Sequence, residues 1–267
     1  MQQREQLRQA LRDGQLVVAP TCINAFTARI IEREGFPAVY LGGYAFGAAS
    51  SLTEPLTTMM EIIEEAGHIA RRITKPLIVD AGAGFGEPLH VTRAIREFEW
   101  AGVAGVHIED QHYPKRAHYH RDYREHVIPI EDYRMKIGAA VRARTDPDFV
   151  IIARTDAMRT DGYEEGIRRA RAALEEGADA AMVFPNSREE AARAPKDTGG
   201  PTVYVNSWGN RVGRPILRVE ELQAMGYALM VEAIPAVLVT LKAVKDVYRH
   251  LKQNGLCNLD QEEAIAL

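Results

Sequence analysis

Three apolar runs in this chain end on charged side chains that could do chemistry. The run Val106–Gln111 places Glu109 and Asp110 where a buried strand would end, while Asp80 and Arg154 end two other runs. A parallel strand buried on both faces is normally apolar throughout, so charged groups at its carboxyl end have a solvation cost that a functional site would explain. Carboxylates of this kind favour Mg²⁺, and an arginine can hold a substrate carboxylate through two parallel hydrogen bonds.

Each of these side chains also has a purely structural interpretation. Asp80 could accept backbone N–H bonds within the glycine-rich turn that follows it, and Glu109 could pair with Lys115 or Arg116. Arg154 could pair with a neighbouring carboxylate, because buried charges are normally paired, and it could do so while still binding substrate.

The segment after the fourth apolar run, Gln111–Pro129, is polar and contains four of the eight histidines, namely His112, His118, His120 and His126. Such a loop could close over an anion or supply a general acid, and His118 with His120 could in principle bind a transition metal. A solvated basic surface is the plain alternative. No third ligand at helical spacing stands out, which disfavours the histidine metal site.

Other residues at the ends of apolar runs are less informative. The amides of Asn186 and Asn206 could orient a substrate oxygen, or they could only satisfy the loop backbone. Cys22 is typical of an inert core thiol. The glycines of the run 82–86 lack the G-x-G-x-x-G spacing, which excludes a dinucleotide loop there.

Eight short apolar runs, rich in Val, Ile or Ala, predict the strands that would position these groups. They are Leu16–Cys22, Ala38–Gly43, Leu77–Gly84, Gly105–Asp110, Val150–Asp156, Ala180–Asn186, Thr202–Asn206 and Ala228–Ala233. Helical patterns lie between most of them, at Ala25–Arg33, Met59–Arg72, Val91–Trp100, Ile130–Arg144, Gly162–Glu176 and Val219–Met225.

This alternation predicts an α/β fold, a (β/α)8 TIM barrel, with its site at the carboxyl ends of the strands. An open doubly wound sheet normally has fewer strands and leaves the polar strand ends unexplained. Two long connections, Ala45–Thr58 and Gln111–Pro129, are expected to serve as lids or binding loops.

Composition sets broad limits on function. The 267 residues are 46% hydrophobic, which predicts one barrel domain spanning 1–267 with a C-terminal helical extension. A net charge of −4 lacks the basic footprint of a nucleic-acid or membrane-surface protein, so a small molecule is the expected partner. Two distant cysteines favour the reducing cytoplasm, and neither a secretion signal nor an apolar run of roughly 20 residues is apparent.

Five segments together carry a family resemblance: Tyr40-Leu41-Gly42-Gly43, Asp80–Gly86, His107–Gln111 followed by Lys115-Arg116, Ile152–Ala157, and Phe184-Pro185. With these segments the chain resembles the isocitrate lyase and phosphoenolpyruvate mutase superfamily, and most closely its methylisocitrate lyase branch. The similarity runs from about Val17 to Gly255. It implies a (β/α)8 barrel with a swapped C-terminal helix, a homotetramer or homodimer, Mg²⁺ (or Mn²⁺), and a 2-oxo or 2-hydroxy carboxylate that reacts through an enolate.

The resemblance also implies roles for individual residues. Asp80 would lie in the metal shell, Glu109 would hold a metal-bound water, and Arg154 would bind a substrate carboxylate. Tyr40, with the backbone N–H groups near Gly42 and Gly43, would face the carbonyl or enolate oxygen, and Asn206 would assist at the substrate. Mg²⁺ and oriented donors of this kind lower the barrier by stabilising an oxyanion.

Several positions depart from the family pattern. The lyases carry Lys-Arg-Cys-Gly-His in the mobile loop, whereas residues 115–120 read Lys-Arg-Ala-His-Tyr-His and lack the acidic thiol. Gly82 replaces the second aspartate of the metal motif, Glu54 stands where an aspartate is usual, and Asn186 replaces a glutamate.

We therefore expect a C–C lyase in which His118 or His120 replaces the thiol as proton donor, with Lys115 and Arg116 beside it. An oxaloacetate-type decarboxylase or hydrolase is the first alternative, since an enolate released to solvent needs no dedicated acid. A mutase acting on phosphonopyruvate and a carboxylate-binding barrel without catalysis are the others.

Overall fold

The computed structural model describes residues 2–115, 126–210 and 213–260. Eight parallel strands follow one another around a closed barrel, and β8 pairs with β1. The strands are β1 (Val17–Cys22), β2 (Val39–Leu41), β3 (Leu77–Asp80), β4 (Gly105–Glu109), β5 (Val150–Arg154), β6 (Ala180–Met182), β7 (Thr202–Asn206) and β8 (Leu229–Glu232). The predicted (β/α)8 barrel is confirmed.

Helices pack around the outside of the barrel and extend from both ends. They are α1 (Gln2–Arg12), α2 (Ala25–Arg33), α3 (Gly43–Ala49), α4 (Met59–Ala70), α5 (Pro88–Trp100), α6 (Ile130–Ala143), α7 (Ala157–Thr160), α8 (Tyr163–Glu175), α9 (Arg188–Thr198), α10 (Val219–Met225) and α11 (Pro235–Asn254), with a 3₁₀ turn at Glu54–Leu56.

The two-residue period of the strands divides the core into an inner and an outer part. Alternate residues such as Ile78 on β3 and Ile152 on β5 fill the barrel interior. Their neighbours Val79 and Ile151 face outward and pack against the helices. A side chain at a strand tip therefore points into the barrel mouth only when it shares the parity of the inner set.

The amino-terminal end of the barrel is closed by α1. Leu7 and Leu11 of this helix are buried and pack with the inner core. A Cβ on Gly105, at the start of β4, would lie 2.8 Å from Val150 and 3.4 Å from a methyl of Leu7. Glycine at this position lets β4, β5 and α1 approach closely.

The connection Ala45–Thr58, expected to be a lid or binding loop, is partly regular structure. Helix α3 occupies its first part and the 3₁₀ turn Glu54–Leu56 its second. The cap of α4 fixes the end of the segment, because Thr58 and Glu61 form a reciprocal capping box. Glu54 is thereby held near the barrel mouth.

Helix α11 differs from the other long helices of the barrel in how little of it is buried. It is 20 residues long, yet none of its residues is buried. Across the described ranges, no helix combines the length and apolar character that crossing a membrane would require.

Candidate active site

A cleft of about 370 Å³ opens at the carboxyl ends of the strands. Tyr40, Asp80 and Arg154 reach it from β2, β3 and β5, and Lys115 reaches it from the start of the Gln111–Pro129 loop. Tyr40 and Asp80 share the parity of the inner core residues on their strands, as Arg154 does on β5. The sequence therefore correctly predicted that these groups meet at one rim.

Glu109 lies beneath the cleft rather than on its wall. Its side chain is fully buried, and β4 places it directly beside Arg154 of β5. Lys115 Nζ lies 3.0 Å from one Glu109 oxygen and Arg154 Nη1 lies 3.1 Å from the other. Neither oxygen accepts a hydrogen bond of good geometry. Burial raises the pKa of Glu109 to about 7, although both cations oppose this shift.

Arg154 is held in place by two carboxylates. Besides Glu109, it contacts Asp156, which accepts hydrogen bonds of 3.1 Å from both Nε and Nη2. Asp156 also pairs with Arg159 at 2.7 Å. These contacts leave other N–H groups of the Arg154 guanidinium available to a ligand in the cleft. Both the structural and the substrate-binding interpretation of Arg154 therefore agree with the geometry.

Lys115 forms a cationic bridge between acidic groups. Its ammonium contacts Glu54, as well as Glu109. Burial lowers the pKa of Lys115, but the charges of Glu109, Glu54 and Asp80 raise it by more, so the net shift is upward. Lys115 is therefore protonated at neutral pH and places a positive charge among three carboxylates.

Asp80 has the turn-capping contacts expected of its structural interpretation. Its two oxygens accept hydrogen bonds from the backbone N–H groups of Gly82, at 2.8 Å, and Gly43, at 3.1 Å. Burial raises the pKa of Asp80, but nearby His107, Lys115 and Arg154 lower it by more. The carboxylate is thus ionised and retains lone pairs that could face the cleft.

Tyr40 brings a hydroxyl to the cleft that could stabilise an oxyanion. Its oxygen lies 2.7 Å from Nε2 of the buried His107, whose Nδ1 has no hydrogen-bond partner in the described structure. Burial lowers the pKa of His107 to about 4, so the ring is neutral. Orphaned buried N–H groups are rarer than orphaned acceptors, which favours a proton on Nε2 that is donated to Tyr40. The Tyr40 O–H can then donate into the cleft.

Gly42 and Gly43 line the cleft as predicted. The N–H of Gly43 is already donated to Asp80, however, so it does not point freely at a substrate oxygen. A Cβ on Gly43 would lie 2.8 Å from a Glu54 oxygen. This glycine thus allows Glu54 to approach the Lys115 bridge.

Asp110, considered as a further metal ligand, points away from the cleft. It has the opposite parity to Glu109, is fully buried, and accepts hydrogen bonds from Thr155 Oγ1 at 2.6 Å and the Asp156 N–H at 2.9 Å. Arg169 of α8 lies 3.2 Å from it. Its role is to tie β4 to β5 and α8.

The two predicted asparagines lie outside the cleft lining. Asn206 follows the outward-facing Tyr204 by two residues, and its amide is used by both the N–H and the C=O of Leu217. Asn186 donates to the backbone oxygen of Met158 at 3.0 Å. Both side chains therefore hold loop backbone in place, and Asn206 has the outward parity of its strand.

Three of the predicted catalytic residues, Arg116, His118 and His120, lie outside the described residues. At the base of their loop, Gln111 and Val127 form an antiparallel bridge. Cys22 is a free, fully buried thiol with a pKa raised to about 12 by burial, in line with an inert core residue.

The sequence reasoning missed two further arginines in the lining of the cleft. Arg159 and Arg214 line it, and both guanidiniums lie 4.8 Å from the ring centroid of Phe184. Arg159 is on the short helix α7 and Arg214 is in the loop after β7, so neither ends an apolar run. A search for charged residues at the ends of apolar runs therefore does not find Arg159 or Arg214.

The donors at the mouth are chemically suited to Mg²⁺. No trio of His, Cys, Asp or Glu converges as a metal cluster within the described ranges. Mg²⁺ nevertheless commonly takes one or two carboxylates and completes its shell with water and substrate. Asp80 and Glu109 fit this pattern, since Asp80 is ionised and the buried Glu109 oxygens lack hydrogen bonds.

A parallel eight-stranded barrel with ionisable groups gathered at its carboxyl mouth has the architecture of a TIM-barrel enzyme. Comparison with known proteins refines this class. The family described as phosphoenolpyruvate phosphomutase matches residues 7–252. The chain therefore belongs to this family, and the resemblance to the isocitrate lyase and phosphoenolpyruvate mutase superfamily is confirmed.

Individual relatives cover nearly the whole chain. The 2,3-dimethylmalate lyase of Eubacterium barkeri is 39% identical over 93% of this chain and 86% of its own length. The 2-methylisocitrate lyase of Aeropyrum pernix is 34% identical over 93% of this chain and 80% of its own. A structure of oxaloacetate acetylhydrolase with the inhibitor 3,3-difluorooxalacetate has a TM-score of 0.90 at 30% identity, covering 96% of this chain and 88% of that one. The prediction of an enzyme of this superfamily is confirmed, and its relatives include lyases.

Proposed function

We propose that this protein cleaves a carbon–carbon bond next to the carbonyl or hydroxyl carbon of a 2-oxo or 2-hydroxy carboxylate, through an enolate. The observation that carries the proposal is the convergence of Arg154, Tyr40, Asp80 and Lys115 on one cleft at the barrel mouth. Its lyase relatives, one named for dimethylmalate and one for methylisocitrate, support the reaction class.

The described residues supply three parts of this chemistry. Arg154 binds the substrate carboxylate, because its guanidinium is oriented by Glu109 and Asp156 before substrate arrives. The Tyr40 hydroxyl, oriented by His107, donates to the oxygen on which negative charge develops. Lys115 adds positive charge at the same rim.

Mg²⁺ (or Mn²⁺) is the proposed cofactor, held by Asp80 and Glu109. When bound, the ion would act as a Lewis acid toward the substrate oxygens. Lys115 competes with it for Glu109, so the ammonium must move aside when the ion binds. The proton donor for the released fragment is proposed to be His118 or His120, in the loop that carries Ala117 in place of the family's thiol.

Hydrolysis or decarboxylation of an oxaloacetate-like acid is the second candidate. The missing thiol and the structural likeness to oxaloacetate acetylhydrolase favour it. Water would then take the place of a dedicated protein acid.

One panel separates these candidates. Purified protein is incubated with Mg²⁺ or Mn²⁺ and, separately, 2-methylisocitrate, 2,3-dimethylmalate, oxaloacetate or phosphonopyruvate. Cleavage of a methylated hydroxy acid is the expected result, and Tyr40→Phe should lower kcat by about a hundredfold because the oxyanion loses a donor.

Other outcomes of the panel have defined meanings. Cleavage of oxaloacetate alone would establish the second candidate, and turnover of phosphonopyruvate alone would indicate mutase-like or hydrolase chemistry at phosphorus. No turnover, together with no calorimetric binding of oxalate, would leave a barrel without catalysis.

The finer assignments follow the family. We propose a homodimer or homotetramer, formed through an exposed apolar stripe of α11 that consists of Leu241, Val244, Tyr248 and Leu251. We also propose a cytoplasmic location, because Cys22 and Cys257 are both unpaired thiols.

A further inference from the structure

Three guanidinium groups surround a single aromatic ring inside the cleft. The guanidinium carbons of Arg154, Arg159 and Arg214 lie 4.9, 4.8 and 4.8 Å from the centroid of Phe184. A ring quadrupole attracts cations, but each contact contributes only about 0.5–2 kcal/mol. That is less than the cost of bringing a guanidinium out of water beside other cations, so the ring alone does not explain the cluster.

Arg214 is the member of this cluster whose charge is not matched. Its side chain is 6% exposed, and its Nε has no hydrogen-bond partner. Within the described ranges its guanidinium forms no ion pair, unlike Arg154, which contacts Glu109 and Asp156. Burial, and then the charge of Arg159, lower the pKa of Arg214 to about 10, which still leaves it cationic at neutral pH.

The loop that carries Arg214 is built to present it. Asn210 Oδ1 accepts the backbone N–H of Arg214 at 2.8 Å, and Asn210 Nδ2 donates to its backbone oxygen at 3.1 Å. The same amide nitrogen also donates to the oxygen of Ser207 at 3.0 Å. These hydrogen bonds from the Asn210 side chain hold the backbone at Arg214 in one conformation. The loop therefore fixes the place at which the unpaired guanidinium enters the cleft.

We propose that Arg214, with Arg159 beside it, binds the second carboxylate of a dicarboxylate substrate whose reacting end is held by Arg154. This inference rests on the proposed function, and it specifies that the substrate is a dicarboxylate. Because both guanidiniums contact one ring, the carbons of Arg154 and Arg214 are no more than about 10 Å apart, which a short dicarboxylate can bridge. The cleft of about 370 Å³ has room for such a molecule.

Calorimetry with two matched ligands tests the assignment. Malate and 2-hydroxybutyrate share four carbons and the reacting end, and differ only in a distal carboxylate or methyl group. The full-length wild-type protein should bind malate more tightly. Arg214→Met should weaken malate binding at least about tenfold, because a charge-assisted contact is lost, while the affinity for 2-hydroxybutyrate stays unchanged.

Two further variants keep the result interpretable. Arg214→Lys retains the charge without the planar fork and should fall between wild type and Arg214→Met. Arg93→Met, at an exposed arginine of α5, should bind both ligands as wild type does, and thermal melting of each variant confirms that it folds.

The proposal is overturned if Arg214→Met weakens both ligands equally or neither, or if the wild type does not distinguish them. Failure of the proposed function looks different. In that case no substrate of the panel is cleaved, yet the loss of malate preference in Arg214→Met would still establish the second carboxylate site.

Discussion

At the scale of single residues, the barrel mouth is an alternating sequence of charges. Glu54, Lys115, Glu109, Arg154 and Asp156 follow one another through direct contacts. Each charge offsets the burial cost of its neighbours, and removing one partner of such a set typically costs about 3–5 kcal/mol. Substitutions here therefore change stability as well as chemistry, and both need to be measured.

Lys115 allows the proposed metal site to be tested without measuring activity. In Lys115→Met the carboxylates lose their internal cation, so we expect Mg²⁺ to bind at least about tenfold more tightly by calorimetry. The variant should also melt at a lower temperature without Mg²⁺ and recover when it is added, because a ligand of the native state stabilises it.

Lys196→Met is the control, since Lys196 is an exposed residue of α9. It should leave both Mg²⁺ affinity and melting unchanged. An affinity in Lys115→Met that equals or falls below that of wild type would contradict competition between the ammonium and the ion.

The sequence predicted those candidate site residues whose side chains end a strand and face the barrel interior, and the reason is physical. Asp80 and Arg154 interrupt apolar runs, so their solvation cost is visible in the pattern itself. Asn206 also ends an apolar run, but its side chain lies on the outward-facing side of β7. A single apolar run does not show which of its two alternating sets of side chains faces the barrel interior. Arg214 lies in a loop, where a polar residue is ordinary, so only the folded cleft shows that it is buried.

At the scale of elements, the strands and most of the amphipathic helices were predictable, whereas a few helices were not. The alternation of apolar runs identified all eight strands of the barrel, with ends that differ by a few residues. The sequence pattern does not predict helix α3, because Gly43 and Gly47 disfavour a helix, whereas α10, which is equally short, was predicted with its observed bounds. Helix α9 contains Pro195, which disfavours a helix interior, and only packing in the barrel retains it.

We expect the amino-terminal end of the barrel to contribute to stability and its carboxyl end to contribute to function. Leu7 of α1 is 1% exposed and packs into the amino-terminal end, far along the strands from the cleft residues. Leu7→Ala should lower the free energy of unfolding by about 2–5 kcal/mol in a denaturant titration, because it leaves a cavity. The KM of the folded enzyme should not change.

Leu89→Ala is the matched control, as Leu89 of α5 is 80% exposed. We expect its unfolding curve to overlay that of wild type. A large change in KM for Leu7→Ala at a temperature where it is fully folded would show that the amino-terminal end communicates with the mouth, contrary to this division.

At the scale of the whole molecule, α11 is an amphipathic helix whose apolar side is exposed. Leu241, Val244, Tyr248 and Leu251 recur every three or four residues and are 39–64% exposed. The opposite side carries the ion pairs of Asp246 with its neighbours. A helix with an apolar stripe and no buried residue gains stability when a partner covers the stripe, and in the proposed homodimer or homotetramer that partner is a second copy of this chain.

This arrangement predicts that the oligomer depends on the stripe. Leu241→Glu should shift the protein from a dimer or tetramer to a monomer in light scattering coupled to size exclusion, because a charge would be buried in the interface. Lys242→Gln, on the charged side of the same helix, should leave the mass unchanged. Leu238 of α11 lines the cleft. Because the partner subunit would hold α11 in place, we expect substrate affinity to fall together with assembly in Leu241→Glu. A wild-type monomer, or a Leu241→Glu variant that keeps the wild-type mass, would refute the role of α11 as the subunit interface.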